Sequence, residues 1–331
     1  MAGFSWLSLL PFVFSSGTGL QAPLGLPAIP FPADNPYSTA AVELGRDLFF
    51  DGRLSANGHV SCAFCHTPQH GFSGTSAFSP GVTGKLTGRH TPTLINRAYG
   101  KSQFWDGRSP TIEAQVIIPV TNPNEMGMTA DRVVETVAGI PGYPPLFAAA
   151  FGDSRVDFGR IARSIATFER TILSGNSAYD RYAAGDKTAL TKEQKDGMDF
   201  FFSGKGECSE CHSGPDFTND KFENLGIGMD RENPDPGREA VTKKRSDFGR
   251  FKTPTLRDLR YRGPYMHDGR FQSLGEVLDF YAKAGIQNPH VDDRLIKFYM
   301  DAKAKADLLA FLDALNGEGW QDIRAPEHLP Q

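Results

Sequence analysis

Cysteine is scarce in this chain: four of its 331 residues are cysteine, and all four belong to two copies of one pentapeptide pattern. Residues 62–66 read Cys-Ala-Phe-Cys-His, and residues 208–212 read Cys-Ser-Glu-Cys-His. A framework of structural disulfides would leave the repeated histidine unexplained. The small number of thiols therefore points to one chemical site that occurs twice.

The chain also lacks an excess of basic residues, since 35 Lys and Arg against 39 Asp and Glu give a formal net charge of −4. This balance argues against a nucleic-acid partner. The short mixed stretch 243–250 (KKRSDFGR) is interpreted as a solvated surface turn. With 39% hydrophobic and 22% charged residues, the composition is that of a folded soluble protein, and the length favours two domains.

No apolar run is long enough to cross a membrane. The longest candidate, from Phe4 to Phe14, falls short of the roughly 20 apolar residues that a spanning helix needs. It resembles the apolar region of a secretory signal, although the first basic residue is Arg46. We expect residues 1–22 to be a signal-like segment and the protein to be periplasmic; the alternative is a buried or frayed N-terminal segment.

Alternating, strand-like runs are scarce as well, whereas apolar residues recur at helical spacing. Residues 157–173 and 308–315 each present one apolar face, and Gly317 would close the second helix. The stretch 191–194 (TKEQ) has the pattern of a capping box that opens a helix. The pattern predicts a mostly α fold with long loops and little β structure.

Other short motifs also occur twice. The stretch 91–94 (TPTL) is repeated at 253–256, and 105–108 (WDGR) has a counterpart in 267–270 (HDGR). Both pairs are offset by 162 residues, since 253 − 91 = 267 − 105 = 162. A constant offset of this kind predicts an internal duplication.

The pattern Cys-x-x-Cys-His is the attachment signature of c-type haem, in which two thiols bind the vinyl groups and the histidine binds iron. A dithiol redox site would not need the histidine, and a single zinc site would not separate its cysteine pairs by 142 residues. We therefore predict two cytochrome c-like haem domains, residues 23–180 and 181–331, with haem assembled outside the cytoplasm. The predicted attachment and proximal residues are Cys62, Cys65, His66, Cys208, Cys211 and His212.

The second axial ligand of each iron decides its function. In the second half Tyr281, Met266 and Met300 are candidates, and Tyr281 could also be an ordinary core tyrosine. Subtracting the 162-residue offset from Tyr281 leads to Pro119, which cannot bind iron. If both positions face a haem, one iron is capped and suited to electron storage, while the other is open to peroxide.

Polar residues close to Pro119 in sequence are candidates for the peroxide chemistry. Gln115 and Glu125 flank it, and a positioned carboxylate can move the proton that O–O cleavage requires. The alternative for Glu125 is a surface or helix-start carboxylate. Trp105 is either an ordinary core tryptophan or a stepping stone for electrons between two haems.

Together these motifs resemble the bacterial di-haem cytochrome c peroxidase and MauG family over essentially the whole chain after about residue 25. The resemblance lies in the two pentapeptides, 104–108 (FWDGR), 122–127 (NPNEMG), 252–256 (KTPTL) and 264–269 (PYMHDG). It implies that the N-terminal haem reacts with peroxide and that the C-terminal haem is low-spin. It further implies that Trp105 lies between the haems and that Gln115, Pro119 and Glu125 form the distal pocket.

The family divides at the position of Tyr281. Its cytochrome c peroxidases have methionine there, whereas MauG-like members have tyrosine, whose phenolate favours high-valent iron and lets both haems share oxidising equivalents as a bis-ferryl species. Many of the peroxidases also block the first iron with an extra histidine. Here the candidates are His70 and His90, and neither is at the expected place, so the resemblance implies an open first haem.

The family also holds a calcium ion between its haems, using an Asn before Thr-Pro-Thr-Leu and a Thr before Pro-Tyr-x-His. In this chain those positions are His90 and Arg262. Backbone carbonyls can still ligate calcium, which prefers oxygen donors. One calcium ion is therefore an expectation beside the two haem c groups.

The leading hypothesis is a MauG-like enzyme that uses hydrogen peroxide to oxidise tryptophan or tyrosine side chains of a partner protein by long-range electron transfer. The alternative is a peroxidase that reduces hydrogen peroxide with electrons from a small cytochrome c. A passive di-haem electron carrier is a third class, and it predicts two six-coordinate haems.

Overall fold

The computed structural model describes residues 19–331, and these residues form a mostly helical fold with little sheet. The helices are α1 (Thr39–Phe50), α2 (Cys62–Cys65), α3 (Ile112–Thr121), α4 (Ala130–Ala138), α5 (Tyr143–Phe151), α6 (Phe158–Glu169), α7 (Ala178–Ala183), α8 (Lys192–Phe202), α9 (Cys208–Cys211), α10 (Glu239–Thr242), α11 (Leu274–Ala282) and α12 (Ala302–Asp313). Two short strands, β1 (Phe222–Glu223) and β2 (Phe251–Lys252), pair antiparallel. The predicted fold class is confirmed, and long loops join the helices.

A pair of long helices forms the centre of the first half. Asp157 caps α6 by accepting a hydrogen bond from the backbone N–H of Arg160 at 2.8 Å. The apolar stripe predicted from the sequence is buried, and α6 packs against α1. Gly45 of α1 makes this approach possible, because a Cβ there would overlap the backbone carbonyl of Ser164.

The second half is built around a similar pair, α8 and α12. The predicted capping box is present: Thr191 accepts from the N–H of Gln194 at 3.2 Å, and the Gln194 side chain accepts from the N–H of Thr191 at 2.9 Å. Gly197 lies where α8 crosses α12, and a Cβ there would overlap the backbone carbonyl of Asp307. The last helix ends earlier than predicted, at Asp313, so Gly317 lies beyond it.

Two clusters of buried side chains form the core. The first draws on residues 44–172 and also takes in Trp320 from the C-terminal segment, which returns to the first half. The second draws on residues 201–315. No helix within residues 19–331 is both long and apolar enough to span a bilayer. Most of the signal-like segment, residues 1–18, lies outside the described residues, and the division at residue 180 stays a prediction.

A buried ion pair ties the loop after the second Thr-Pro-Thr-Leu motif to α7. The Arg257 guanidinium donates two hydrogen bonds of 2.8 Å to the two carboxylate oxygens of Asp180. Both side chains are at most 3% exposed. Burial opposes ionisation of Asp180, yet the hydrogen bonds and charge of Arg257 hold its pKa below the usual value. Breaking such a pair from one side costs about 3–5 kcal/mol.

The glycine at the α8–α12 crossing generates a stability prediction. We expect Gly197→Ala to lower the free energy of unfolding by about 1–3 kcal/mol, because the new methyl group forces two backbones apart. Thermal and denaturant unfolding of the holoprotein measure the change. Gly88→Ala is the matched control, since nothing lies within 4 Å of a Cβ at Gly88. Equal stability of the two variants would contradict this account of the crossing.

Candidate functional site

Each Cys-x-x-Cys-His motif folds as a single helical turn that ends at the histidine. In α2 the N–H of His66 donates to the carbonyl of the first cysteine at 2.9 Å, and in α9 the N–H of His212 does the same at 2.9 Å. The two histidines have nearly the same backbone angles, φ −97° and ψ 74° against φ −99° and ψ 72°. Cysteines three residues apart on one turn present both thiols on the same side, as haem attachment requires.

The imidazoles are oriented by backbone carbonyls. Nδ1 of His66 lies 3.1 Å from the carbonyl oxygen of Phe72, and Nδ1 of His212 lies 3.1 Å from that of Phe217. A carbonyl only accepts, so Nδ1 carries the proton and Nε2 keeps its lone pair for a metal. Both phenylalanines are buried and have φ of 51° and 50°, a conformation that bulky residues rarely adopt. The same strained feature thus recurs at both sites.

Burial favours the neutral form that a metal ligand needs. It lowers the pKa of His66 and of His212 to about 4 in each case. The four thiols, in turn, have raised pKa values, chiefly because burial disfavours the thiolate. The two motifs fit haem c in donor type, spacing, tautomer and charge.

A single, largely apolar cavity connects the two motifs. Its wall includes both histidines and apolar side chains from both halves, which suits a flat apolar macrocycle. Of the predicted site residues, the wall contains His66, Trp105, Gln115, Cys208, Cys211, His212 and Tyr281. Cys62, Cys65, Pro119 and Glu125 are not among its lining residues.

Trp105 joins the two halves at this cavity. Its indole Nε1–H donates to the carbonyl oxygen of His90 at 2.7 Å. Its own carbonyl accepts from the N–H of Lys252 at 2.7 Å, and its ring meets the ring of His267 edge-on, with centroids 6.4 Å apart. The tryptophan is therefore held in one orientation in a wall that it shares with both motif histidines.

The predicted distal residues follow one another along α3 and the turn after it. Gln115 lines the cavity, and the carbonyl of Pro119, one helical turn later, accepts from the N–H of Met126 at 3.1 Å. This bond brings the neighbouring residue, Glu125, back towards the helix. Burial is the main cause of the raised pKa of the Cys65 thiol. A hydrogen bond with Ser79 lowers this pKa, and the nearby charge of Glu125 raises it.

Glu125 has the properties of a proton-transfer group. Burial raises its pKa, and the charge of Arg108 and a hydrogen bond from Asn122 oppose the shift. The Asn122 amide donates to Glu125 Oε1 at 2.9 Å and so orients the carboxyl group. A carboxyl with a raised pKa takes up and releases a proton closer to neutral pH than an ordinary one.

Tyr281 lies in the last turn of α11, half-buried, in the same wall as His212. Burial raises the pKa of its phenol, and the thiols of Cys211 and Cys208 raise it further. The phenol is thus close to the second attachment turn and stays protonated unless a cation stabilises the phenolate. Of the other ligand candidates, Met266 also lines the cavity, whereas Met300 packs against the second core.

Each of the two histidines considered as blocking ligands of the first iron has one ring nitrogen next to a backbone carbonyl, and His90 also lines the cavity. Nε2 of His70 lies 2.5 Å from the carbonyl oxygen of Gly263. Nδ1 of His90 lies 2.9 Å from the carbonyl oxygen of Ser76, and burial lowers the pKa of this imidazole. Both residues thereby connect or support loops around the cavity.

Several charged residues in the wall were not predicted from the sequence to line a haem site, although Arg262 was considered as a calcium position. Glu169 is the last residue of α6, and burial raises the pKa of its carboxyl to about 8. Lys252 and Arg262 are both buried, and their cations can pair with the carboxylates of a bound haem. The pKa of Lys252 is lowered to about 7, mainly by burial and to a smaller extent by the charge of Arg97. The only sequence signal was a charge inside an otherwise apolar motif.

Comparisons with known proteins agree with this geometry. A family model described as di-haem cytochrome c peroxidase matches residues 39–188. The methylamine utilization protein MauG of Methylorubrum extorquens is 42% identical over 88% of this chain and 82% of its own. Cytochrome-c peroxidase IdrP1 of a Pseudomonas species is 35% identical, over 88% and 84%. The crystal structure of a MauG-like protein associated with microbial copper homeostasis is 31% identical and superimposes with a TM-score of 0.85, over 92% and 97%.

The two attachment turns generate the next prediction. Replacing both cysteines of α2 by serine should halve the covalently bound haem, since the remaining motif still attaches one group. The same replacement in α9 should halve it as well, which makes each variant the control of the other. Pyridine haemochrome assays and intact-protein mass spectrometry measure the result. Full haem content in either variant would refute attachment at that motif.

Proposed function

The chain belongs to the di-haem cytochrome c peroxidase and MauG family, whose members are haem oxidoreductases that use peroxide, and on that premise we propose that it oxidises side chains of a partner protein. The oxidised residues are tryptophan or tyrosine, and the electrons leave them by long-range transfer. The observation that carries this proposal is Tyr281, a tyrosine beside the second attachment turn, where the duplicated position of the first half is Pro119. The family implies two covalently bound haem c groups for the chain.

When bound at the first motif, the haem supplies an iron at which peroxide can be reduced. Glu125, oriented by Asn122, takes the proton from one peroxide oxygen and delivers it to the other. Gln115 in the cavity wall holds the peroxide by hydrogen bonding. Complete reduction of one peroxide to two waters consumes two protons and two electrons, and the partner's side chain supplies them.

Trp105 carries the electrons between the halves, because it is fixed in the wall that contains both His66 and His212. Tyr281, as a phenolate, would stabilise positive charge at the second site and let that site store an oxidising equivalent. Since electrons travel through the protein, the partner's side chain does not have to enter the cavity.

The alternative function is a peroxidase that takes electrons from a small cytochrome c. Relatives named as cytochrome c peroxidases, at 35% and 33% identity, favour it. Tyr281 is the feature that separates the two functions, because a phenolate lowers the reduction potential of the second site and makes it a poor entry point for electrons.

We also propose a periplasmic location. Covalent haem attachment at Cys-x-x-Cys-His takes place outside the cytoplasm, and the signal-like segment predicted at residues 1–22 is consistent with export. The peroxide chemistry and the partner protein would then share that compartment.

The role of Tyr281 can be tested with stoichiometric peroxide added to the oxidised holoprotein. We expect a long-lived change in the visible spectrum with a new near-infrared band, and loss of that band in Tyr281→Met and Trp105→Phe, because both remove part of the path that shares the oxidising equivalents. Tyr182→Phe, a tyrosine that contacts Lys187 and Lys195 away from the cavity, is the matched control. Rapid return to the resting spectrum with turnover only by reduced cytochrome c would favour the peroxidase instead.

Glu125→Gln keeps the size of the side chain but removes its ability to move a proton. We expect the reaction with peroxide to slow by about 10²- to 10⁴-fold, measured by stopped-flow absorbance. In the unaltered protein the rate should rise with pH, as the carboxylate form appears, with a midpoint above that of an ordinary glutamate because burial raises the pKa of Glu125. This midpoint should be absent in the variant.

Glu135→Gln is the control for Glu125, since Glu135 is exposed on α4. It should leave both the rate and its pH dependence unchanged. A Glu125→Gln protein that reacts as fast as Glu135→Gln would exclude Glu125 as the proton-transfer group.

A further inference from the structure

Arg262 places a buried cation between the two halves of the molecule. The residue is 7% exposed and lines the cavity that contains both motif histidines. Its Nε–H donates to the carbonyl of Asp258 at 3.3 Å, and its Nη2 donates to the carbonyl of Thr255 at 2.8 Å. Its stem packs against the loop after the first motif, since a Cβ at Gly71 would lie 2.9 Å from Arg262 Cγ. The positive charge of Arg262 therefore lies next to residues of both halves.

This is also one of the two positions at which the family resemblance implies a calcium ligand, and the residues present do not fit calcium. Calcium takes six to eight oxygen ligands. The side chains of His90 and Arg262 contain no oxygen. The imidazole of His90 is moreover turned towards the carbonyl of Ser76, to which its Nδ1 is hydrogen-bonded at 2.9 Å.

Backbone oxygens of the same region already accept hydrogen bonds from the protein. The His90 carbonyl accepts from the indole of Trp105 at 2.7 Å. The Gly263 carbonyl is 2.5 Å from Nε2 of His70, which joins the loop of the first motif to the residue after Arg262. The N–H of His90 also donates to the carbonyl of His267 at 2.7 Å, so hydrogen bonds of His70 and His90 connect the two halves where a bound ion would otherwise do so.

The local charge opposes a divalent cation as well. Lys252 Nζ and Arg97 Nη2 both lie 3.8 Å from the same carboxylate oxygen of Asp220, so two basic side chains face one carboxylate. Among residues 19–331, no carboxylate lies within ion-pair distance of Arg262. Burial lowers the pKa of Arg262, and the charges of Asp258 and Asp216 oppose that shift. Like charges repel strongly where little water screens them. Within residues 19–331, no group of three or more His, Cys, Asp or Glu side chains is placed to hold a metal ion.

We propose that the guanidinium of Arg262 is the fixed cation between the two haem-binding halves and that the holoprotein contains no structural calcium. Unlike a bound ion, this cation is covalently part of the chain, so chelators and low calcium concentrations cannot remove it. The proposal does not depend on which substrate the protein oxidises.

The first test uses the unaltered holoprotein. It is purified in buffer that contains calcium chloride, desalted, and analysed for metals by mass spectrometry. Thermal unfolding and the visible spectrum are then recorded with EDTA and with added calcium. We expect calcium far below one equivalent per chain and the same unfolding temperature and spectrum in both buffers. Stoichiometric calcium, together with a lower unfolding temperature in EDTA, would overturn the proposal.

The second test restores the oxygen ligands. The double variant His90→Asn with Arg262→Thr removes the guanidinium and supplies an amide and a hydroxyl oxygen. We expect added calcium to raise its unfolding temperature and to give a binding isotherm in calorimetry, neither of which the unaltered protein should show. A double variant that folds but neither binds calcium nor is stabilised by it would contradict the proposal that Arg262 takes the place of a calcium ion. The first test decides the matter even if the double variant fails to fold.

Single variants separate charge from side-chain packing. Arg262→Met should lower the unfolding temperature clearly, and Arg262→Lys should recover part of the loss because it keeps the charge. Arg260→Met is the matched control: the Arg260 side chain is 62% exposed and forms an ion pair with Asp313 at the surface. Equal unfolding temperatures for the Arg260 and Arg262 methionine variants would show that the buried guanidinium does not hold the halves together.

Discussion

The hydrogen bond from each motif histidine to a backbone carbonyl is the interaction on which the rest of the site depends. It is 3.1 Å long in both halves, and it fixes which ring nitrogen is free to bind a metal. The acceptors belong to Phe72 and Phe217, two buried residues in a left-handed conformation. Such a conformation persists only when surrounding packing imposes it. The paired helices and their core therefore act on the chemistry by holding two carbonyls in place.

Because the two histidines are held in the same way, a difference in function between two bound haems would come from the other side of each haem. The residues predicted for that side differ in type: Tyr281 lies in the last turn of α11, and Pro119 lies inside α3. Trp105, which is bonded to backbone atoms of His90 and Lys252, connects these unequal sites. If one haem is to react with peroxide and the other to store electrons, the two can share the same proximal side but need different distal sides.

Much of the fold was predictable because the signals were local. Helices α6 and α8 follow from apolar periodicity and from a capping box, both of which act within one or two turns, although α6 ends at Glu169 and not at residue 173. The attachment turns follow from five consecutive residues. The end of α12 was misplaced, because Leu315 is buried in the core although it lies outside the helix. Apolar spacing reports burial, and burial continues after the helical backbone has ended.

The charged wall of the cavity could not be predicted from the sequence, because the presence of Lys252 in the motif at 252–256, or of Arg262 beside the next motif, does not show that either side chain is buried. Their burial results from contacts distant in the chain: Lys252 lies near Asp220 within the second half, and Arg262 packs against the loop at Gly71 of the first half. The same holds for Gly45 and Gly197, whose importance depends on the helix that crosses them. Long-range packing decides these roles.

Tyr281 shows how burial and redox chemistry are linked. Because burial raises the pKa of the phenol, the phenolate exists at neutral pH only if a positive charge next to it offsets the desolvation. A ferric iron carries one positive charge more than a ferrous iron, so a phenolate bound to it, as proposed for Tyr281, would stabilise the oxidised site more than the reduced one. By linkage, that difference would lower the reduction potential of the site. A tyrosine ligand would thus disfavour electron uptake from a cytochrome c and favour storage of oxidising equivalents, whereas methionine, a neutral ligand, would do the opposite.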